Sequence, residues 1–200
     1  MQTQGRLFGG RAPAVPRGWS GVRIALSDTA FLDHHPGWLQ GDDVLFDHLE
    51  QTTAWRASRR EMYDQVVDVP RLCAVLPDDG PGHPVLAEAA AALTARYDRP
   101  VQSVSLALYR DGSDSVAFHG DRMGEAVADC IVALVSLRGP RRLHLRARGG
   151  GPVRRFDLGH GDLLVMGGSC QRDFEHAVPK VARAEPRLSV MIRSDRPARP

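Results

Sequence analysis

From Val101 onward the chain breaks into short apolar runs, each of strand length. They span Val101–Tyr109, Val116–His119, Cys130–Leu137, Leu143–Arg146, Val153–Phe156, Leu163–Met166 and Leu188–Ile192. Between them stand turn-forming clusters: Asp111-Gly112, Gly139-Pro140, Gly149 to Pro152, Gly159 to Asp162 and Gly167-Gly168. Glycine and Asp supply the turn conformations that strand interiors avoid. Many short strands at this spacing predict a sandwich or barrel.

Ahead of Pro100 the texture differs. Residues 42 to 54 read as a helix, with Asp42 or Asp43 able to cap it and Val44, Leu45, His48 and Leu49 at helical spacing. Residues 84 to 97 read as a second helix, with Pro84 in the first turn and an Ala-rich run from Ala87 to Ala95. Residues 1 to 25, rich in Gly, Pro, Gln and Arg, read as a flexible tail that leads into a first short element, Val22–Leu26. The predicted class is α+β, with N-terminal helices packed on one sheet of an antiparallel core. The expected division is a tail at 1–25 and one domain at 26–200, helical and lid-forming to 100 and β from 101 to 196.

The 200 residues suit one domain with its own core. A net charge of +2 does not by itself mark a nucleic-acid binder, although nearly every cation is Arg, with Lys180 the only lysine. Cys73, Cys130 and Cys170 are far apart, so neither a zinc knuckle nor a disulfide framework is suggested, and Cys130 reads as core. No apolar stretch approaches the ~18 residues of a membrane span, and no signal-peptide core is visible. The expected compartment is the cytoplasm.

The strand Val116–His119 ends in His119-Gly120-Asp121. Positions i and i+2 of a strand share a face, so this imidazole and carboxylate can bind one metal. A His from a distant strand would complete a two-His-one-carboxylate triad with three open positions, as iron(II) requires to hold a co-substrate and oxygen together. A second pair, His160-Gly161-Asp162, competes with the first. Only about one hairpin separates Asp162 from His176, whereas several strands separate Asp121 from His176, enough to cross a jelly roll and return. His160-Gly161-Asp162 also reads as a tight turn. The spacing therefore favours His119, Asp121 and His176; alone, His119 is also readable as an ordinary half-buried histidine.

Arg187 and Arg193 stand six positions apart on the last apolar run, an even separation that puts both on one face. Two inward arginines need anionic partners, and a dicarboxylate is one such partner. An edge strand with both arginines in solvent is the other reading.

The ordered motifs resemble the AlkB family of DNA and RNA demethylating dioxygenases over roughly residues 40 to 195. The stretch from Leu108-Tyr109-Arg110 to His119-Gly120-Asp121 resembles that family's strand-turn-strand into HxD. Gly161 to Met166, then His176-Ala177-Val178-Pro179-Lys180, resembles its second metal-ligand region, and Arg187 to Arg193 its R-x5-R signature. Val69-Pro70-Arg71-Leu72 resembles a segment that helps form a substrate lid. The resemblance implies a double-stranded β-helix (jelly-roll) core. It implies iron(II) on His119, Asp121 and His176. For 2-oxoglutarate it implies Arg187 at the distal carboxylate, a hydrogen bond from Tyr109, and Arg193 near the metal-side carboxylate and Asp121. The implied reaction consumes O2 and 2-oxoglutarate, releases succinate and CO2, and hydroxylates an N-methyl group that is then lost as formaldehyde. Ala107 and Ser189 stand where the family often has Asn contacting 2-oxoglutarate, and Arg122-Met123-Gly124 replaces acidic residues after HxD.

A base must be flipped out or single-stranded before such chemistry can reach it. The run Trp55 to Tyr63 offers aromatic and cationic groups ahead of Pro70; Met62, Tyr63 and Arg71 are the expected base-side contacts, with Trp55 expected in the core. A basic stretch from Arg138 to Arg148, followed by Arg154 and Arg155, reads either as a phosphate track or as a solvated hairpin face. Gln4-Gly5-Arg6-Leu7-Phe8 resembles peptides that dock on the bacterial sliding clamp. Methylated DNA or RNA is the expected partner. The same iron chemistry on a small molecule or protein, and a metal-free jelly-roll binding module, are the competing functions.

Overall fold

A computed structural model of the chain describes residues 10–62, 65–77, 82–121 and 130–194, with the backbone alone at 58–62 and 65–69. Gln4 to Phe8, Tyr63, Arg122-Met123-Gly124 and the side chain of Met62 lie outside the described residues.

The strands, in chain order, are β1 (Val22–Ala25), β2 (Ala30–His35), β3 (Arg56–Met62), β4 (Gln65–Val75), β5 (Ser103–Tyr109), β6 (Val116–His119), β7 (Cys130–Arg138), β8 (Arg141–Ala147), β9 (Arg154–Leu158), β10 (Leu163–Gly168), β11 (Phe174–Val178) and β12 (Arg187–Arg193). The helices are α1 (Asp42–Thr52), α2 (Pro84–Tyr97) and the single turn α3 (Cys170–Asp173). An eight-stranded sheet runs β1-β2-β10-β7-β12-β5-β4-β3, and a four-stranded sheet runs β6-β11-β8-β9. Each of the ladders in the two sheets is antiparallel. The inner four strands of the large sheet and the four of the small one form the jelly roll, as expected.

Period-two alternation sorts the side chains into two layers. Leu106, Leu108, Leu188, Val190, Ile192, Ile131, Ala133 and Val135 point to the outer face of the large sheet. There they pack against Leu45, Phe46 and Leu49 of α1 and Leu86, Ala89 and Leu93 of α2. Their strand neighbours Ala107, Tyr109, Val132 and Leu134 point inward and meet Leu143, Leu145 and Leu158 of the small sheet. Burying each such leucine contributes about 1.5–3 kcal/mol, so a one-residue register slip would put both layers on the wrong faces.

Both long helices were legible, but α1 is not capped by Asp42 or Asp43. Gly41 takes that position at φ 68°, and a Cβ there would meet the backbone of Arg11 and Ala12. The two aspartates sit in the first turn. Asp42 accepts from the Arg138 backbone N–H at 3.0 Å, and the Arg138 guanidinium donates to Asp43 at 3.3 Å and to Asp47 at 2.6 Å. The segment expected to be helical and lid-forming also supplies strands β2, β3 and β4 to the large sheet. The segment expected as a tail carries β1 and an Ala14–Gln40 bridge.

Candidate active site

Strands β6 and β11 are neighbours, and His119 pairs in register with His176. Directly opposed residues share a face, so the two imidazoles stand together with ring centroids 4.4 Å apart. Asp121 follows β6 by two residues, its Oδ1 3.9 Å from His119 Nε2. Candidate ligand atoms of His119, Asp121 and His176 all lie within 4.8 Å of one another.

The surroundings prepare these groups for a cation. His119 Nδ1 lies 2.9 Å from the Ala117 carbonyl oxygen, which can only accept. The proton therefore sits on Nδ1, and Nε2 offers its lone pair on the Asp121 side. Burial, reinforced by His119, pushes the His176 imidazolium pKa down to about 3, which keeps that ring neutral and able to ligate. Burial would raise the Asp121 carboxyl, but the Arg193 guanidinium holds it below its ordinary value. Two imidazoles and one carboxylate on a single face are a donor set that fits iron(II).

Three further residues hold the loop that carries Asp121. Arg193 donates from Nε to Asp121 Oδ2 at 2.8 Å and from Nη1 to Ser105 Oγ at 2.7 Å. Gln171 Oε1 accepts from the Asp121 backbone N–H at 3.0 Å. Arg148 donates to the Gln171 and Arg172 carbonyls, and a Cβ on Gly120 would run into the Arg148 guanidinium and Gln171 carbonyl. The middle residue of the HxD pair therefore has to be small. Gln171 escaped sequence reasoning because it lies on the one-turn helix α3, with no periodicity to mark it.

Facing this group across the inner core, the large sheet presents cations. Arg187 is buried at 1% exposure, directly opposite Tyr109 in the β12–β5 ladder. Its Nη2 donates to Ser136 Oγ at 2.7 Å, while Nε is enclosed with no partner. Burial, with repulsion from Arg141 and Arg71, pushes its pKa down to about 10. An enclosed guanidinium with an unused donor and no carboxylate bonded to it fits an anionic ligand. Ser189, also buried, occupies the next inward row, between Ala107 and Ser136. Arg71, expected on the base side, donates to the Tyr109 hydroxyl at 3.0 Å.

The rival pair His160-Gly161-Asp162 is a turn. His160 and Gly161 have φ of 31° and 79°, and a Cβ on Gly161 would collide with the Leu39 carbonyl. Asp162 accepts from the Gly37 and Gly159 backbone N–H groups at 2.7 and 3.1 Å. His160 instead faces Asp42, 3.4 Å away. The basic stretch is largely partnered internally: Arg141 binds the Asp111, Asp114 and Pro179 carbonyls, Arg142 pairs with Asp157, and Arg146 pairs with Glu175. Trp55 packs partly buried against the core.

The family model of the 2OG-Fe(II) oxygenase superfamily matches residues 77–197. This chain belongs to the 2OG-Fe(II) oxygenase superfamily. The superfamily is one of oxygenases named for iron(II) and 2-oxoglutarate. Among curated proteins it is similar to alpha-ketoglutarate-dependent dioxygenase alkB homolog 3. Identity is 27% over 183 residues with the Bos taurus protein and 26% over 185 with the Homo sapiens protein. Each alignment covers 80% of this chain and 64% of the relative, so the chain spans somewhat under two thirds of their length. The AlkB resemblance is thereby upheld at modest identity. Among solved structures, a Trichoplax adhaerens prolyl hydroxylase in complex with a hypoxia inducible factor oxygen degradation domain peptide superimposes with TM-score 0.60. It has 15% identity and covers 81% of this chain and 82% of that one, a likeness of fold that supports the jelly roll. No described helix of this superfamily member is long and apolar enough to cross a membrane.

Proposed function

We propose that the chain oxidatively demethylates N-alkylated bases in DNA or RNA. In this reading His119, Asp121 and His176 hold iron(II), and Arg187, Tyr109, Ser189 and Arg193 hold 2-oxoglutarate. The observation that carries it is the opposition of two complementary sets. A His pair with a carboxylate stands on the small sheet, and a buried guanidinium with no carboxylate partner among the described residues stands on the large one. Iron with 2-oxoglutarate supplies an oxidant: one oxygen atom of O2 goes into succinate as CO2 leaves, and the other goes into a substrate C–H bond.

The protein's own part is positional. Ala117 fixes the His119 tautomer, while Arg193 and Gln171 hold both ends of Asp121. The inner leucines exclude water. A hydroxymethyl group on a base nitrogen expels formaldehyde and leaves the unmodified base. Kinship with alkB homolog 3 supports a nucleic-acid substrate. So does the β3–β4 ribbon. β4 pairs with β5 only from Leu72 to Val75, so the ribbon extends past the sheet, joined to the loop before β6 where Ser115 N–H donates to the Pro70 carbonyl at 2.7 Å. A two-stranded arm beside the entrance, carrying Arg56, Arg59 and Arg60 in its sequence, suits an anionic strand.

The test is turnover on methylated single- and double-stranded oligonucleotides with iron(II) and 2-oxoglutarate, reading formaldehyde and succinate together. Stoichiometric formaldehyde from an oligonucleotide supports the proposal. Succinate alone across the whole panel overturns the substrate and moves it to a small molecule or protein.

A further inference from the structure

Three guanidinium groups surround one tyrosine ring. Arg187, Arg141 and Arg71 lie 5.4, 5.5 and 5.9 Å from the Tyr109 ring centroid. Arg141 is occupied, since its terminal nitrogens donate to the carbonyls of Asp111, Asp114 and Pro179. All three keep an enclosed Nε without a hydrogen-bond partner, while Arg187 donates to Ser136 and Arg71 to Tyr109. Neither forms an ion pair with a carboxylate among the described residues. Three like charges around one phenol ring, each with an unused donor, repel one another unless an anion joins them.

The strand register explains how Arg71 arrives there. Leu72 pairs with Leu108, which brings Arg71 alongside Tyr109, and Tyr109 pairs with Arg187. The three residues form one row across β4, β5 and β12. The next inward row holds Cys73, Ala107, Ser189 and Ser136, small side chains that leave room beside the cations. Ala107 offers no donor to an anion, and Ser189 offers one hydroxyl.

We infer that Arg71 is a second anchor for the distal carboxylate of 2-oxoglutarate, acting beside Arg187 and orienting the Tyr109 hydroxyl. The inference rests on the co-substrate site proposed above. One carboxylate bridges the two guanidinium groups, with Arg187 and Arg71 each contributing Nε. Arg71 is then a binding residue for the co-substrate rather than for the base, and the β4 strand that carries the ribbon is tied to the co-substrate pocket.

The test uses protein loaded with manganese(II), without oxygen, titrated calorimetrically with 2-oxoglutarate and with pyruvate, which lacks the distal carboxylate. Wild type and the Arg187→Met, Arg71→Met and Arg71→Lys variants are compared, with thermal unfolding as a check on folding. Loss of a charged hydrogen bond predicts that Arg71→Met weakens 2-oxoglutarate by about tenfold or more and leaves pyruvate unchanged, with Arg71→Lys recovering part of the loss. Unchanged 2-oxoglutarate affinity in a folded Arg71→Met overturns the inference, as does equal weakening of both oxo acids. If Arg187→Met also leaves 2-oxoglutarate affinity intact, the co-substrate site itself is misplaced, a failure distinct from that of Arg71.

Discussion

Arg193, on the last strand of the large sheet, donates to Asp121, at the end of a strand of the small sheet, over 2.8 Å. Both side chains are nearly enclosed, at 8% and 11% exposure. The bond ties the carboxylate of the proposed metal triad to the opposite sheet and helps hold its pKa below the ordinary value.

Removing that tie is expected to weaken metal binding before it weakens the fold. Partners of metal ligands typically change affinity by about 10- to 100-fold when replaced. Arg193→Met should fall in that range for manganese(II) by calorimetry, with Arg193→Lys milder because it keeps the charge. Unaltered metal affinity in Arg193→Met would show that Asp121 is not a ligand or does not depend on this partner.

Gln171 controls the same carboxylate through the backbone. Gln171→Leu leaves the Asp121 N–H without its acceptor in a half-buried place, a change that costs about 1–3 kcal/mol. Metal affinity should drop by about tenfold, and chemical denaturation should show the accompanying loss of stability. A stability loss with unchanged metal affinity would reduce Gln171 to a structural role.

The two HxD pairs should separate cleanly. His119→Ala should abolish stoichiometric metal binding and succinate release. His160→Ala, at a side chain 63% exposed, should leave both intact. Gly161→Ala should instead lower stability by about 1–3 kcal/mol, because its Cβ enters the Leu39 carbonyl from a left-handed backbone. Metal loss on His160→Ala would reverse the assignment of the triad.

Asp33 provides an acid-sensitive point away from the site. It accepts two hydrogen bonds from Arg23, each 2.7 Å, and one from the Tyr97 hydroxyl at 2.8 Å. Burial alone would raise its pKa, but Arg23 and Tyr97 outweigh that and hold it below the model-peptide value of 3.8. The folded state therefore binds the Asp33 proton less readily than the unfolded chain. The stabilisation is fully present above pH 3.8 and is lost as pH falls through the lower folded value. Asp33→Asn should be less stable at neutral pH by about 1–2 kcal/mol, the exposed Arg23 limiting the effect, and the gap should close below about pH 4. A gap that does not depend on pH would contradict this.

Much of the architecture was visible in punctuation. The strands from β5 to β12 are short and set off by Gly, Pro or Asp, with apolar residues running on or alternating, except β11, whose Glu175-His176 breaks its apolar run. The strands β2, β3 and β4 were hidden for a related reason. Asp33, His34 and His35 interrupt one, and the polar run Arg56 to Met62 offers no apolar periodicity to read in β3. Of the candidate site, the clustering of His119, Asp121 and His176 and the shared face of Arg187 and Arg193 follow from strand parity. Gln171 and the Tyr109-facing placement of Arg71 depend on which strands become neighbours, and local pattern does not encode that.

The proposed metal ligands hang from the small sheet and the cationic anchors from the large one, so the gap between the sheets serves as a ruler. Sheets stack about 10 Å apart, and Leu134, Leu145 and Leu164 fill the space between them. A 2-oxo dicarboxylate must reach from one wall to the other, so the thickness of that apolar filling selects its chain length. Trimming Leu145 or enlarging Ala107 would thus shift preference between acids differing by one methylene, with every polar contact unaltered. Co-substrate selectivity in this fold is written partly in hydrocarbon.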